Sequence, residues 1–248
     1  MVACDPSDND DYFRRYPMKF AIFGDIHSNL EALDAVMANA SSQGATDFAC
    51  LGDLVNFNAN PAECVHRLQA LGCPVVKGNH DEEASADTAI VGLDPRAQAA
   101  LEWTRRALTE EDKAWLRTLP LIRQVGDFTI VHSTLDTPDS WAYVLNEFDA
   151  MASFSYQLTQ LCFFGHTHMP KVFKKGAAVT VENMDCTVIE PGFKYFINVG
   201  SVGQPRDGDW RSAYALYDQE NQTVSIHRVP YDIETTQRKI REAGLGGF

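Results

Sequence analysis

The chain has 248 residues, enough to bury a substantial core as one large domain or two small ones. With 45% hydrophobic and 22% charged residues it has the composition of an ordinary soluble globular protein, and no apolar stretch approaches the roughly 18–20 residues that a bilayer crossing needs. The 21 basic and 34 acidic residues leave a formal charge of −13, which argues against duplex nucleic acid or an anionic membrane as the main partner, although bound cations would reverse that sign locally.

Residues 1–17 are polar and acidic, end at Pro17 and carry no apolar segment of the signal-peptide kind, so they read as a mobile or loosely docked extension of a protein that is not secreted. No linker or low-complexity segment divides residues 18–248, and a single domain is expected there. Phe20–Phe23 is a short bounded apolar run, predicted to be a buried strand, and it ends in "GDIHSN". Leu30, Leu33, Val36, Met37 and Ala40 at helical spacing predict a helix over Leu30–Ser42, with Asn29 as its N-cap. Phe48–Leu51 repeats the strand pattern before "GDLVN". Pro61–Leu71 then begins with proline in a first turn and turns Val65 and Leu68 inward.

Val75–Val76 leads into "KGNHD", and two further helices are predicted over Pro95–Leu108 and Glu110–Leu119, with Trp103 and Trp115 facing the core. Phe128–Val131 precedes "HST", Leu161–Phe164 precedes "GHTH" and Tyr195–Ile197 precedes "NVGSV". A last helix is predicted over Tyr231–Ala243, whereas Lys171–Val229 reads as strand and turn. The fold class is therefore mixed, α/β in the first half and β-richer later. Every polar cluster follows a strand, so the clusters collect at the carboxyl edge of a sheet, where open α/β folds place their sites.

The six cysteines, Cys4, Cys50, Cys64, Cys73, Cys162 and Cys186, include no CxxC pair. Cys50 and Cys162 lie inside apolar runs, as buried free thiols do in a reducing cytoplasm, and that is the expected location. The strand-end loops carry Asp25 and His27, Asp53, Asn79 with His80 and Asp81, His132, and His166 with His168. Five of the seven histidines lie in these loops, while His66 and His227 read as ordinary satisfied residues. Taken alone, the stretch "CFFGHTHMP" allows two histidines on one sheet face, a single metal, or two metals. Mixed carboxylate and imidazole donors suit Mn, Fe, Zn or Co rather than an oxygen-only Ca or Mg cage. Seven candidate ligands exceed what one tetrahedral zinc needs, and they would fill two adjacent ions if one carboxylate bridged.

In order, Asp25-Ile26-His27, Gly52-Asp53, Gly78-Asn79-His80-Asp81, His132 and Gly165-His166-Thr167-His168 resemble the calcineurin-like metallophosphoesterases, over about residues 18–205. The resemblance implies a four-layer α-β-β-α sandwich with a di-metal site at the carboxyl ends of the central strands. It implies one ion held by Asp25, His27, Asp53 and His168, and another by Asp53, Asn79, His132 and His166. Gly165 would let the chain leave its strand, so that His166 and His168 serve different ions. The metals implied are two divalent transition ions (Mn, Fe, Zn, Ni or Co, with Mn favoured).

His80 resembles the family's phosphate-side acid and, with Asp81 and Asn56, is a candidate catalytic residue. Family members with GDxxDR orient that histidine with the second Asp and grip phosphate with the Arg. Here the positions are Asn56 and Phe57, which argues against a Ser/Thr protein phosphatase and for the small bacterial and archaeal phosphodiesterase-like branch. The expected reaction is hydrolysis of a small phosphoester, such as a phosphodiester, nucleotide or dinucleoside polyphosphate, by a metal-bridging hydroxide. The alternatives are a non-catalytic metal or nucleotide binder and a single-zinc hydrolase.

Asn29, beside the first motif, is a candidate cap, substrate contact or both. In residues 197–209, Ser201 and Arg206 are candidate substrate contacts, with Trp210 as a stacking platform; the plainer reading of this segment is a turn with an Arg206–Asp207 pair. The loop from Thr134 to Met151 is read as a cap on the site or a subunit contact, the latter in a possible homo-oligomer.

Overall fold

A computed structural model describes residues 18–88, 95–182 and 185–245 of the chain. Within them the strands are β1 (Lys19–Phe23), β2 (Asp47–Cys50), β3 (Ile122–Val125), β4 (Phe128–Val131), β5 (Leu161–Phe164), β6 (Lys171–Lys175), β7 (Val179–Glu182), β8 (Thr187–Val188), β9 (Lys194–Asn198), β10 (Ser212–Asp218) and β11 (Thr223–Val229). The helices are α1 (Leu30–Ser42), α2 (Pro61–Leu71), α3 (Asn79–Ser85), α4 (Pro95–Ala107), α5 (Glu110–Thr118), α6 (Glu147–Tyr156) and α7 (Ile233–Glu242). Residues 1–17 and Cys4 lie outside the described residues. Among the described residues no helix is long and apolar enough to cross a membrane.

The strands form two sheets, one ordered β2-β1-β10-β11-β8 and the other β3-β4-β5-β9-β6-β7. β1 pairs with β2 in parallel, and β4, β5 and β9 are parallel neighbours, so the ends of β1, β2, β4, β5 and β9 can carry one site.

The two-residue period of the apolar strands explains the layers. Phe20 and Ile22 of β1 pack between the sheets with Leu161 and Phe163 of β5, Phe128, Tyr195 and Tyr217. The intervening Ala21 and Phe23 face outward under Leu33 and Val36 of α1, Val65 and Leu68 of α2, Leu101 of α4 and Leu116 of α5. On the other sheet, Cys162 and Phe164 face outward against Ala150 and Phe154 of α6. Each such phenylalanine, taken out of water, contributes about 2–3 kcal/mol. The result is the expected α-β-β-α sandwich.

Helix ends follow their local chemistry. Asn29 Oδ1 accepts from Ala32 N (3.2 Å), and α2 opens on Pro61 and closes on Gly72 in left-handed backbone. Some expectations are corrected. Val75–Val76 makes only a single bridge, Val75 to Cys50, because Pro74 and the turn into "KGNHD" leave no room for a ladder. Asn79–Ser85 and Glu147–Tyr156 are helices that too few apolar residues made visible. Trp115 lies partly buried against the helical core, and Trp103 is half-buried. Cys50 and Cys162 are buried free thiols as read from the sequence.

Candidate metal centre

Past the ends of β1 and β2 the chain keeps pairing in left-handed turns. Asp25 N donates to Gly52 O (2.9 Å), His27 N to Asp53 O (2.9 Å) and Ser28 N to Leu54 O (2.9 Å). Gly165 N donates to His132 O (2.9 Å), His166 N to Asp25 Oδ1 (3.1 Å) and Gly203 N to Asp25 O (2.9 Å), so five strand-end loops are laced together. Nine of the ten described non-glycine residues with positive φ are Asp25, His27, Ser28, Asp53, Asn56, Phe57, Trp141, His166 and His168. Left-handed backbone costs such residues about 1 kcal/mol or more each, and the strain gathers at this place.

The loops bring Asp25, His27, Asp53 and His168 together, and likewise Asp53, His132 and His166, with the donor atoms of each group within 4.8 Å of one another and all of these residues buried. Asp53 is common to both groups. Backbone carbonyls assign the imidazole protons, because a carbonyl only accepts. His27 Nδ1 donates to Val55 O (3.3 Å), His168 Nδ1 to Gln204 O (2.6 Å), His132 Nδ1 to Leu51 O (2.8 Å) and His166 Nε2 to Trp141 O (2.8 Å). The remaining nitrogens converge: Nε2 of His27 and of His168 stand 3.0 Å apart, and His166 Nδ1 stands 3.2 Å from His132 Nε2.

Burial and the neighbouring His168 hold His27 well below its ordinary range, and burial with His132 takes His166 down to about 4. Burial opposes charge on His132 as well, but the Asp53 carboxylate 3.2 Å away outweighs it and pushes His132 up to about 9. Burial would raise Asp53, yet His132 and His80 hold it well below the usual carboxylate range. Asn79 Oδ1 is buried without a hydrogen-bond partner. Crowded nitrogen lone pairs, two carboxylates and an orphaned carbonyl oxygen, each imidazole fixed from behind by a carbonyl, suit divalent transition metals.

Residues 18–222 match the model of the calcineurin-like phosphoesterase superfamily domain. The chain belongs to this superfamily. An uncharacterized protein of Methanocaldococcus jannaschii is 34% identical over 224 residues, 89% of this chain and 90% of its own. The crystal structure of a metallophosphoesterase from Sphaerobacter thermophilus is 37% identical, with a TM-score of 0.82 over 92% of this chain and 95% of that one. A hypothetical protein from Pyrococcus horikoshii shares the fold, with a TM-score of 0.72 at 18% identity over 92% and 94% of the two chains. Calcineurin-like phosphoesterases are, in general terms, hydrolases, and the superfamily usually binds divalent metals.

The other predicted site residues fall into two groups. His80 lies at the rim, its ring 5.2 Å from that of His27, and Asn56 Nδ2 stands 3.0 Å from His80 Nδ1. Asp81, by contrast, is wholly buried. Its oxygens accept from Asp53 N (2.8 Å), Leu54 N (2.8 Å) and Gly78 N (3.0 Å), which fastens the loops that carry Asp53 and Asn79 together. Burial and Asp53 push its carboxyl up to about 7. Asn29 is occupied by its cap, by Gly203 O (3.2 Å) and by Thr236 (3.2 Å). Ser201 is buried and braces the first loop through Asp25 O (2.8 Å). Arg206 is exposed and held by Gln204 Oε1 (2.7 Å), while Asp207 pairs with Arg228 instead of its neighbour.

His66 pairs with Asp112 and His227 stacks on Tyr214, both away from the cluster. The loop read as a cap or a subunit contact does reach the cluster: Trp141 supplies the carbonyl to His166, and Tyr143 stacks on the same imidazole at 4.4 Å. The sequence reading missed Asn198 and Glu83. Asn198 Nδ2 donates to Gly165 O (2.6 Å) and Thr167 Oγ1 (3.0 Å), holding the "GHTH" loop. Glu83 reaches His80, a contact that needed α3 to be seen as a helix.

Proposed function

We propose that the protein hydrolyses a small phosphoester using two divalent transition-metal ions, with manganese favoured. The supporting observation is the pair of donor groups that share Asp53. Asp25, His27, Asp53 and His168 would hold one ion, and Asp53, Asn79, His132 and His166 the other. When bound, two such ions acidify a water and neutralise phosphoryl oxygens.

The chain's own residues then have distinct tasks. Asn79 contributes a neutral oxygen, which limits negative charge where an anionic ester must approach. Arg206, exposed beside the His168 loop, is free to leave Gln204 for a phosphate oxygen. His80, at the rim, offers Nε2 to the leaving oxygen. The loops exclude bulk water from the donors: the aspartates and histidines are buried, and so is Asn79 Oδ1.

The decisive measurement is hydrolysis of bis-p-nitrophenyl phosphate and p-nitrophenyl phosphate by manganese-reconstituted protein. Asp53→Asn is expected to lower kcat roughly a thousandfold or more and to lose both ions, since it removes the shared anion. Absence of turnover in the reconstituted protein, or equal turnover in Asp53→Asn, would overturn the proposal.

A further inference from the structure

His80 has two neighbours at one nitrogen. Asn56 Nδ2 and Glu83 Oε2 each stand 3.0 Å from His80 Nδ1. Asn56 cannot turn its oxygen to the ring, because Oδ1 already accepts from Phe57 N (2.9 Å). An amide NH2 bonds to Nδ1 only when that nitrogen lacks a proton, whereas a carboxylate bonds to it only when the proton is there. The two partners therefore demand opposite tautomers, and the charge-assisted bond to the carboxylate is the stronger.

Glu83 is well placed for this task. It sits one turn beyond His80 on α3, its side chain 22% exposed. Its backbone carbonyl is gripped by Arg105 from α4, through Nε (3.1 Å) and Nη2 (2.6 Å). The His80 backbone is held at the same time, its N–H donating to Asp53 Oδ1 (2.9 Å).

We propose that Glu83 is the positioning residue for His80, fixing the proton on Nδ1 and supplying from α3 the carboxylate that position 56 lacks. The proposal rests on the hydrolytic reading above. In that reaction a water-derived oxygen bonds to phosphorus as the ester P–O bond breaks. The leaving oxygen takes the proton from His80 Nε2, while the Nδ1 proton stays on the ring, bonded to Glu83. Solvent returns the Nε2 proton after the alcohol departs.

The test uses the full chain loaded with zinc, which is diamagnetic, and compares wild type, Glu83→Ala and Glu83→Ala with Asn56→Asp. For an alkyl phosphodiester, Glu83→Ala is expected to lower kcat about 10–100-fold with little change in KM, by analogy with losing an outer partner at a metal site. For bis-p-nitrophenyl phosphate, whose leaving group needs no proton, the loss is expected to be at least about tenfold smaller. Adding Asn56→Asp is expected to recover most of the alkyl activity, because it returns a carboxylate to the same nitrogen. The 15N signal of His80 Nδ1 is expected to lose its protonated character in Glu83→Ala, where only the Asn56 amide remains at that nitrogen, and to regain it in the double variant. Equal losses on both esters, no recovery, or an unmoved 15N signal would each overturn the role of Glu83. If wild type cleaves neither ester, the hydrolytic reading fails, and the 15N signals still decide whether Glu83 sets the tautomer.

Discussion

Left-handed backbone is far more often given to non-glycine residues at the carboxyl edge of the sheets than at the amino edge. At the amino edge it falls to glycines in open space: Gly72 (φ +65°) and Gly126 (φ +55°) have nothing within 4 Å of where a Cβ would stand. At the carboxyl edge Gly52 (φ +89°) and Gly200 (φ +81°) share it with aspartates, histidines, Ser28, Asn56 and Phe57, and two other glycines do a different job there. A Cβ on Gly78 would stand 2.1 Å from Asp53 Oδ1, and one on Gly165 would stand 2.3 Å from Asp25 Oδ2. Gly165 therefore does not bend the chain, as its place before the two histidines suggested. Positive φ at His166 (+66°) and His168 (+59°) makes the bend, and Gly165 makes room for Asp25. A turn that only reverses the chain uses the residue with least strain. A turn that aims donors at one point accepts strain in the donors, because lacing between loops holds them.

This contrast breaks most visibly at Gly78. Gly78→Ala pushes against Asp53 N as well as its carboxylate (2.5 and 2.1 Å), so the loop carrying the carboxylate common to both donor groups must move. The expected outcome is loss of both ions, roughly a hundredfold fall in phosphodiesterase activity and about 2–3 kcal/mol of stability, read by metal analysis, kinetics and denaturant unfolding. Retention of full metal content would show that the cradle is looser than described.

A smaller effect divides the carboxyl edge itself. His166→Ala and His168→Ala are each expected to bind one ion per chain, and the double variant none, because the two imidazoles belong to different donor groups. One ion in both singles and still one in the double variant would mean that they serve the same metal. The smallest effect belongs to the amino edge. Gly126→Ala is expected to cost only the left-handed strain, about 1 kcal/mol and a Tm shift of roughly 2–4 °C, with metal content and kcat unchanged. A change in metal binding there would undo the separation of the two edges.

The strands and most helices were legible because both faces of β1 and β5 are buried, which turns a strand into an uninterrupted apolar run. Helices α3 and α6 escaped because their signal is thin: seven residues with Ala84 as the only buried apolar side chain, and ten whose apolar positions are half exposed. The donor set was legible because chemically distinctive residues recur directly after the apolar runs of β1, β2, β4 and β5. The roles of Asn29, Ser201 and Asp81 were harder to read, since a polar residue beside a motif can face substrate or backbone with the same letters around it.

Residue type and the direction of each strand are local properties, so the letters alone tell which donors gather and at which end of the sheets. The carbonyl behind each imidazole, the aim of Asn56 and the carboxylate that reaches His80 came into view with the folded chain. Those depend on atoms as far apart in the chain as Val55 and His27, Trp141 and His166, or Gln204 and His168, which meet only when the loops are laced together.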